Sequence, residues 1–102
     1  MRETRDLLRR RHYLIRQRAA LITHIQITNA QYNLPPFTKK LIYARNRAEL
    51  NVAERFPEGP VRKSIQLNLA LVDALDQQLA DVELYLGGVS GTLLRKEQQL
   101  GC

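Results

Sequence analysis

The chain of 102 residues is poor in several residue types and segments, and each scarcity excludes a class of protein. Trp is absent and aromatic residues are few, so a wide sheet-type core is not expected. The single cysteine is the last residue, Cys102, so no intramolecular disulfide can form and a reducing compartment is expected. No apolar run approaches the ~18 residues of a membrane span, and the N-terminus lacks the apolar core of a secretory signal. We therefore expect a cytoplasmic protein without a membrane partner.

Helix-breaking residues are missing from long segments of the chain, which predicts an all-α fold. Residues 3–33 contain no Gly or Pro, and their apolar residues recur at helical spacing, so they form one long helix. Asn33-Leu34-Pro35-Pro36 ends it, because proline lacks an amide donor and disfavours a helical residue before it. Residues 37–56 predict a second, weaker helix, with a break near Asn46–Asn51 left open. Pro57-Glu58-Gly59-Pro60 then forms a turn.

Residues 61–86 carry the most regular apolar pattern in the chain. Pro60 lies where a first-turn proline belongs, and Gly87-Gly88 is expected to end the helix. The polar member of the pattern, Asn68, either fixes the register or lies at a partly exposed position. Positions in 4-3-4-3-4-3-4 spacing form a coiled-coil-like seam that is apolar except at Asn68: Val61, Ile65, Asn68, Val72, Leu75, Leu79, Val82 and Leu86.

The predicted architecture is a long antiparallel hairpin of the first and third helices, which have similar lengths and opposite charge. The shorter helical segment between them is expected to pack across their junction. A chain of this length suits one domain. We expect residues 1–86 to form this helical module and residues 87–102 to form a linker and a short C-terminal tail.

Positive charge is concentrated in the first two-thirds of the chain. Residues 1–63 hold 14 Lys and Arg against 5 Asp and Glu, whereas residues 64–94 hold four acids and no Lys or Arg. Seven arginines and no lysine lie within the first 18 residues. Because the planar guanidinium grips phosphate through two hydrogen bonds, five of them are predicted to contact nucleic acid: Arg2, Arg5, Arg9, Arg10 and Arg16. The alternative is a solvated helix face without a ligand.

The other two arginines lie inside the apolar stripe of the first helix, where a charge needs a partner. Paired positions in an antiparallel hairpin have a constant sum of residue numbers. Arg18 with Asp76 and Arg11 with Glu83 both sum to 94, which predicts two structural ion pairs. The alternative is that these two arginines also contact RNA or DNA.

No catalytic, metal or cofactor site is predicted. His12 and His24 share a helix face only loosely, and with Cys102 as the sole thiol they do not supply a zinc site of the usual ligand count. Ser64 and Ser90 lack a neighbouring base or a nucleophile-elbow context. We therefore expect neither a cofactor nor a small-molecule substrate.

Two long stretches, Arg5–Pro35 and Asn46–Leu86, resemble the middle of insertion-sequence transposases that have a RuvC-like DEDD domain and recombine DNA under a bridge RNA. The resemblance covers most of the chain, and its most specific parts are Leu14–Leu21 (LIRQRAAL), Gln31–Pro35 (QYNLP) and Ala53–Phe56 (AERF). None of these is a catalytic motif.

The resemblance implies a role in DNA transposition that this chain does not perform alone. In the family, a RuvC-like domain with an acidic tetrad for Mg²⁺ precedes a helical coiled-coil segment, and a transposase domain with a serine nucleophile follows it. This chain resembles the helical segment only, and after Leu86 it departs from the family pattern. The implied role is subunit assembly, as a homo-oligomer, and contact with guide RNA or element DNA.

Three functional hypotheses remain at the level of the sequence. The leading one is a transposase fragment that contacts nucleic acid and assembles subunits. The first alternative is a coiled-coil protein-interaction module without nucleic-acid function. The second is an enzyme fragment that becomes active only when the missing domains are supplied in trans. A stand-alone DNA-binding regulator is disfavoured, since no helix-turn-helix spacing is apparent.

Overall fold

The protein is all-α over the part that the structure describes. A computed structural model describes residues 2–101, with side chains described for residues 4–87. Two long helices, α1 (Arg2–Gln31) and α3 (Pro60–Gly101), enclose a short helix, α2 (Ala44–Leu50), and a 3-10 helix at Val52–Arg55. No strand lies within residues 2–101. The prediction of two long helices with a shorter helical segment between them is therefore confirmed.

The end of α1 is set by an asparagine before the prolines. Asn33 has a φ of 56°, in the left-handed region that asparagine tolerates better than most residues. The amide of Asn33 donates to the carbonyl of Ala30 at 3.0 Å, and the amide of Leu34 donates to the carbonyl of Asn29 at 3.1 Å. This is the double hydrogen-bond pattern of a Schellman cap, which satisfies carbonyls that the helix leaves free. Pro35 and Pro36 then keep the chain extended.

The predicted second helix over 37–56 is much shorter in the structure. Within residues 37–43 the chain is not helical, because side chains take carbonyls that a helix would give to backbone amides. Asn46 donates to the carbonyl of Lys40 at 2.9 Å, and Arg47 donates to the carbonyls of Leu41 and Ile42. The break expected near Asn46–Asn51 is present at Asn51, whose φ is 46°.

The third helix begins as predicted but does not end where predicted. Pro60 is its first residue, after Gly59 with a φ of 120°, a backbone conformation that favours glycine. Gly87-Gly88 lies within α3, which continues to Gly101, so the expected helix end is wrong. A glycine inside a helix costs about 1 kcal/mol relative to alanine, which weakens a helix without necessarily ending it. The division into a module and a tail stays a prediction.

The core lies where α1, α3 and the middle segment meet. Ile25 and Val72 are fully buried, and the chain between the long helices supplies Phe56, whose burial stabilises the fold by about 2 kcal/mol. Tyr32 meets the Phe56 ring edge to face, with the ring centroids 6.2 Å apart. The buried cluster consists of Ile22, Ile25, Leu41, Val52, Ala53, Phe56, Ile65 and Val72. The segment between α1 and α3 thus covers one side of the hairpin, near the end of α1 and the start of α3.

Asn29 fixes the chain that leaves α1. Its side chain is buried, and its amide donates to the carbonyls of Leu34 and Pro35 at 3.2 and 3.1 Å. Its Oδ1 accepts from Nη1 of Arg55 at 2.8 Å, and the same Nη1 donates to the Pro35 carbonyl at 2.6 Å. A single side chain therefore joins the end of α1, the extended chain and the 3-10 helix.

We expect Asn29→Ala to lower the free energy of unfolding by about 2 kcal/mol, because it leaves buried partners without a hydrogen bond. Asn46→Ala is the matched control, since Asn46 makes one exposed hydrogen bond and its loss costs about 0.5–1 kcal/mol. Urea unfolding followed by circular dichroism measures both. Equal losses for the two variants would contradict the role given to Asn29.

Asn68, unlike Asn29, has a buried side-chain amide without a hydrogen-bond partner among the described residues. The residue is half-buried in the seam of α3, and the unpartnered atom is Nδ2. Its neighbours in the pattern, Ile65 and Val72, are fully buried. The amide is therefore desolvated without the compensation that Asn29 obtains.

We expect Asn68→Leu to raise the free energy of unfolding by about 1–2 kcal/mol, because an unsatisfied amide is replaced by an apolar side chain of similar size. Thermal unfolding of the variant beside the unsubstituted protein tests this. A variant less stable than the unsubstituted protein would contradict the view that the Asn68 amide is unsatisfied.

Candidate nucleic-acid interface

The arginines of α1 divide between two faces of the helix. At about 100° per residue, Arg5, Arg9 and Arg16 lie on the side opposite to the buried Leu14 and Ile25. All three side chains are exposed. These three arginines are called the basic stripe below, and they extend over about 16 Å of the helix axis. That length corresponds to roughly five base pairs of duplex.

The other two predicted contacts lie beside the basic stripe or outside the described side chains. Arg10 is exposed on the flank of α1, and its guanidinium lies over the Tyr13 ring, 5.7 Å from the centroid. The side chain of Arg2 lies outside the part of the chain that the structure describes. The four predicted residues whose side chains are described are therefore all accessible to a ligand.

Few acidic groups oppose the basic stripe. After Asp6 no Asp or Glu occurs in the sequence before Glu49. Arg9 and Asp6 lie 3.9 Å apart, but both side chains are largely exposed, and such pairs contribute between about 0 and 1 kcal/mol. A phosphate group can therefore compete for Arg9 at little cost. Arg5 and Arg16 have no partner within the described residues.

Arg11 and Arg18 turn inward and meet α3. Nη1 of Arg18 donates to Oδ1 of Asp76 at 2.7 Å, and Nε of Arg11 donates to Oε1 of Glu83 at 3.3 Å. These are the two pairs whose residue numbers sum to 94, and they show that α1 and α3 run antiparallel. The Arg18 pair is less than a quarter exposed, whereas both members of the Arg11 pair are about half exposed.

A third arginine at this junction, Arg47, is absent from the sequence-based prediction. Only 5% of its side chain is exposed. Its Nη2 donates to Oδ1 of Asp73 at 2.8 Å and to Oδ2 of Asp76, and its Nη1 donates to the carbonyl of Leu41 at 2.8 Å. Asp76 thus accepts from Arg18 with one oxygen and from Arg47 with the other. We call Arg18, Arg47, Asp73 and Asp76 the ionic cluster.

The ionic cluster keeps Arg47 charged. Burial by itself lowers the pKa of Arg47, but the hydrogen bonds and charges of Asp73 and Asp76 outweigh burial, so the pKa is raised. A raised pKa means that the contribution of Arg47 to stability is complete at neutral pH and is lost only as the pH rises past the ordinary arginine range. This guanidinium is therefore a fixed structural charge.

The signal for Arg47 is weak in the sequence. Asp73 and Asp76 lie three residues apart on one side of α3, which permits a shared partner. The position of Arg47 relative to them depends on the path of the chain over residues 37–43, and that path was predicted as helix. Because residues 37–43 were predicted as helix, the role of Arg55 was also not predicted. Arg55 contacts Asn29 and lies 4.1 Å from the centre of the Phe37 ring.

We expect Asp76→Ala to lower the free energy of unfolding by about 3 kcal/mol, because it removes a partner from two arginines that are largely withdrawn from water. Glu83→Ala is the matched control and should cost between about 0 and 1 kcal/mol, since its pair is exposed. Thermal and urea unfolding compare the two. An unchanged melting temperature for Asp76→Ala would refute the ionic cluster as a structural element.

The described residues hold no evident metal site or membrane-spanning helix. Within the described side chains, no three His, Cys, Asp or Glu residues lie close enough together to hold a metal ion. None of the helices, over the residues that the structure describes, has both the length and the apolar character needed to cross a membrane.

Comparison with known proteins finds no protein-family model, no curated protein and no solved structure that matches this chain. The relationship to transposases therefore stays a prediction from the sequence.

Proposed function

We propose that this protein is the helical segment of a transposase, which contacts nucleic acid through the basic stripe and takes part in subunit assembly. The observation that carries the proposal is the division of the arginines. Arg11 and Arg18 are paired with acids of α3, whereas Arg5 and Arg16 point outward without a partner among the described residues. Unpaired guanidinium groups on a rigid helix are suited to phosphate groups.

The hairpin supports this function by holding α1 against α3. An isolated helix with this many like charges on one side is destabilised by their repulsion. Packing against α3, through the buried cluster and the ionic cluster, offsets that repulsion and fixes the position of the basic stripe. We also propose that the apolar seam of α3 is coiled-coil-like.

The transposase context rests on the resemblance of Arg5–Pro35 and Asn46–Leu86 to the central helical segment of that family. Because the family's acidic tetrad and nucleophilic serine have no counterpart in this chain, we propose that it binds but does not cleave DNA. We also propose a cytoplasmic location, with guide RNA or element DNA as ligand and a second copy of the chain as partner.

The second candidate is an interaction module without a nucleic-acid ligand. Four apolar side chains on the outer sides of α3 are at least half exposed, and Leu67 and Leu71 are neighbours one helical turn apart that a partner could cover: Leu67, Leu71, Leu84 and Tyr85. This candidate predicts oligomers that do not respond to salt and no retention on heparin.

Salt-dependent binding distinguishes the two. We expect the full chain to bind a labelled duplex DNA or stem-loop RNA with an affinity that falls linearly in a double-logarithmic plot against salt concentration. Each phosphate contact contributes about −0.9 to that slope for duplex DNA. Arg9→Gln combined with Arg16→Gln should therefore make the slope shallower by about 1.8.

The matched control removes two positive charges elsewhere. Arg45 and Lys63 are exposed and lie outside α1, so Arg45→Gln combined with Lys63→Gln changes net charge equally. This control should leave the slope nearly unchanged. If both double variants reduce the slope alike, binding depends on net charge and not on the basic stripe. If neither nucleic acid binds at low salt, the interaction module is the better description.

A further inference from the structure

A hollow of about 420 Å³ lies where α1 ends, between that helix and the extended chain after it. Its volume falls within the range of small-ligand sites. Its apolar wall contains Ala30, Leu34, Pro36 and Phe37, and its polar rim contains Gln26 and Lys40. No residue of the basic stripe or of the ionic cluster lines it.

The aromatic wall of the hollow is held in place from outside. The guanidinium of Arg55 lies 4.1 Å from the centre of the Phe37 ring, and Arg55 is itself fixed by Asn29 and by the Pro35 carbonyl. Arg55 does not line the hollow. A ligand would therefore meet a ring whose position is already determined, which lowers the entropy lost on binding.

The rim of the hollow is cationic. Lys39 lies in the lining but is paired with Glu49, and the amide of Asn29 is used by backbone carbonyls. Lys40 is exposed, and its ammonium has no partner among the described residues. No Asp or Glu lines the hollow. An aromatic wall beside a free ammonium fits a flat ring that carries a nearby anion.

The hollow lies farther along α1, on the outer half of the helix that also carries the basic stripe. Gln26 and Ala30 lie on the outer half of α1, and Arg16 precedes Ala30 by about 21 Å along the axis, the length of roughly six stacked nucleotides. The exposed residues between them on this side include the small Ala20 and Thr23 and the apolar Ile27, which is 51% exposed and can itself contact a base. No acid interrupts this path.

We propose that the hollow receives one unpaired base of a single-stranded nucleic acid whose phosphates follow the basic stripe. The base contacts Phe37 and the apolar wall, and Lys40 binds the adjoining phosphate. This inference rests on the proposed function and adds to it a preference for nucleic acid that contains an unpaired segment. Contact between a base and an aromatic side chain favours single strands with little sequence preference.

The test uses the full chain and oligonucleotides that carry the fluorescent base 2-aminopurine, as a single strand and as the matching duplex. We expect tighter binding of the single strand and a change of fluorescence on binding. Phe37→Leu keeps an apolar side chain but removes the ring, and should weaken single-strand binding roughly tenfold while leaving duplex binding unchanged. Tyr43→Leu is the control, since Tyr43 is an exposed aromatic residue that does not line the hollow.

A second variant avoids any effect on folding. Lys40 is exposed, so Lys40→Gln should fold normally and weaken single-strand binding more than Lys63→Gln, which removes an equal charge outside the hollow. If Phe37→Leu and Lys40→Gln bind both probes as their controls do, the hollow is not a base site. Because that result leaves the salt dependence and the effect of the basic stripe intact, it differs from failure of the proposed function, in which neither probe binds.

Discussion

The structure depends on one carboxylate, that of Asp76, which accepts from Arg18 of α1 and Arg47 of α2 while it belongs to α3. A buried guanidinium without a partner would be costly enough to force the middle segment away from the hairpin. With Asp76 and Asp73 present, Arg47 enters and satisfies the carbonyls of Leu41 and Ile42. The non-helical path of residues 37–43 follows from this contact, because those carbonyls receive side-chain donors in place of backbone amides.

The ion pairs between α1 and α3 also decide which arginines remain for a ligand. The sequence places seven arginines within the first 18 residues, and the predicted register assigns two of them, Arg11 and Arg18, to acids of the third helix. In the fold, Arg11 and Arg18 are paired with acids of α3, whereas Arg10 stays exposed on the flank beside Tyr13. The accessible arginines therefore form a row on the outer side of α1, the basic stripe, with Arg10 beside it. Such a row suits the regular spacing of a phosphate backbone better than it suits a compact acidic partner.

Sequence reasoning succeeded where one periodic pattern determined the structure. The equal spacing of Arg11 and Arg18 and of Asp76 and Glu83 predicts the antiparallel register, because position along a helix axis is proportional to residue number. It failed where the outcome depended on contacts between distant segments. The side chains of Asn29, Arg47 and Arg55 donate hydrogen bonds to backbone carbonyls of the segment between α1 and α2. The path of that segment depends in turn on these hydrogen bonds, so neither can be predicted before the other. At Gly87-Gly88 it failed for a different reason, since a local preference for helix ends is weak beside the propensity of a long flanking helix.

Three of the acids of α3 do not cancel the basic stripe, although they lie on the helix that packs against α1. Asp73, Asp76 and Glu83 engage arginines on the inner or flanking sides of the hairpin. The body of α1, about 10 Å across, separates them from Arg5 and Arg16. That separation is similar to the distance over which physiological salt screens exposed charges, about 8 Å. A ligand on the outer side of α1 therefore meets mainly the field of the arginines, so the same acids stabilise the hairpin without weakening its affinity for phosphate.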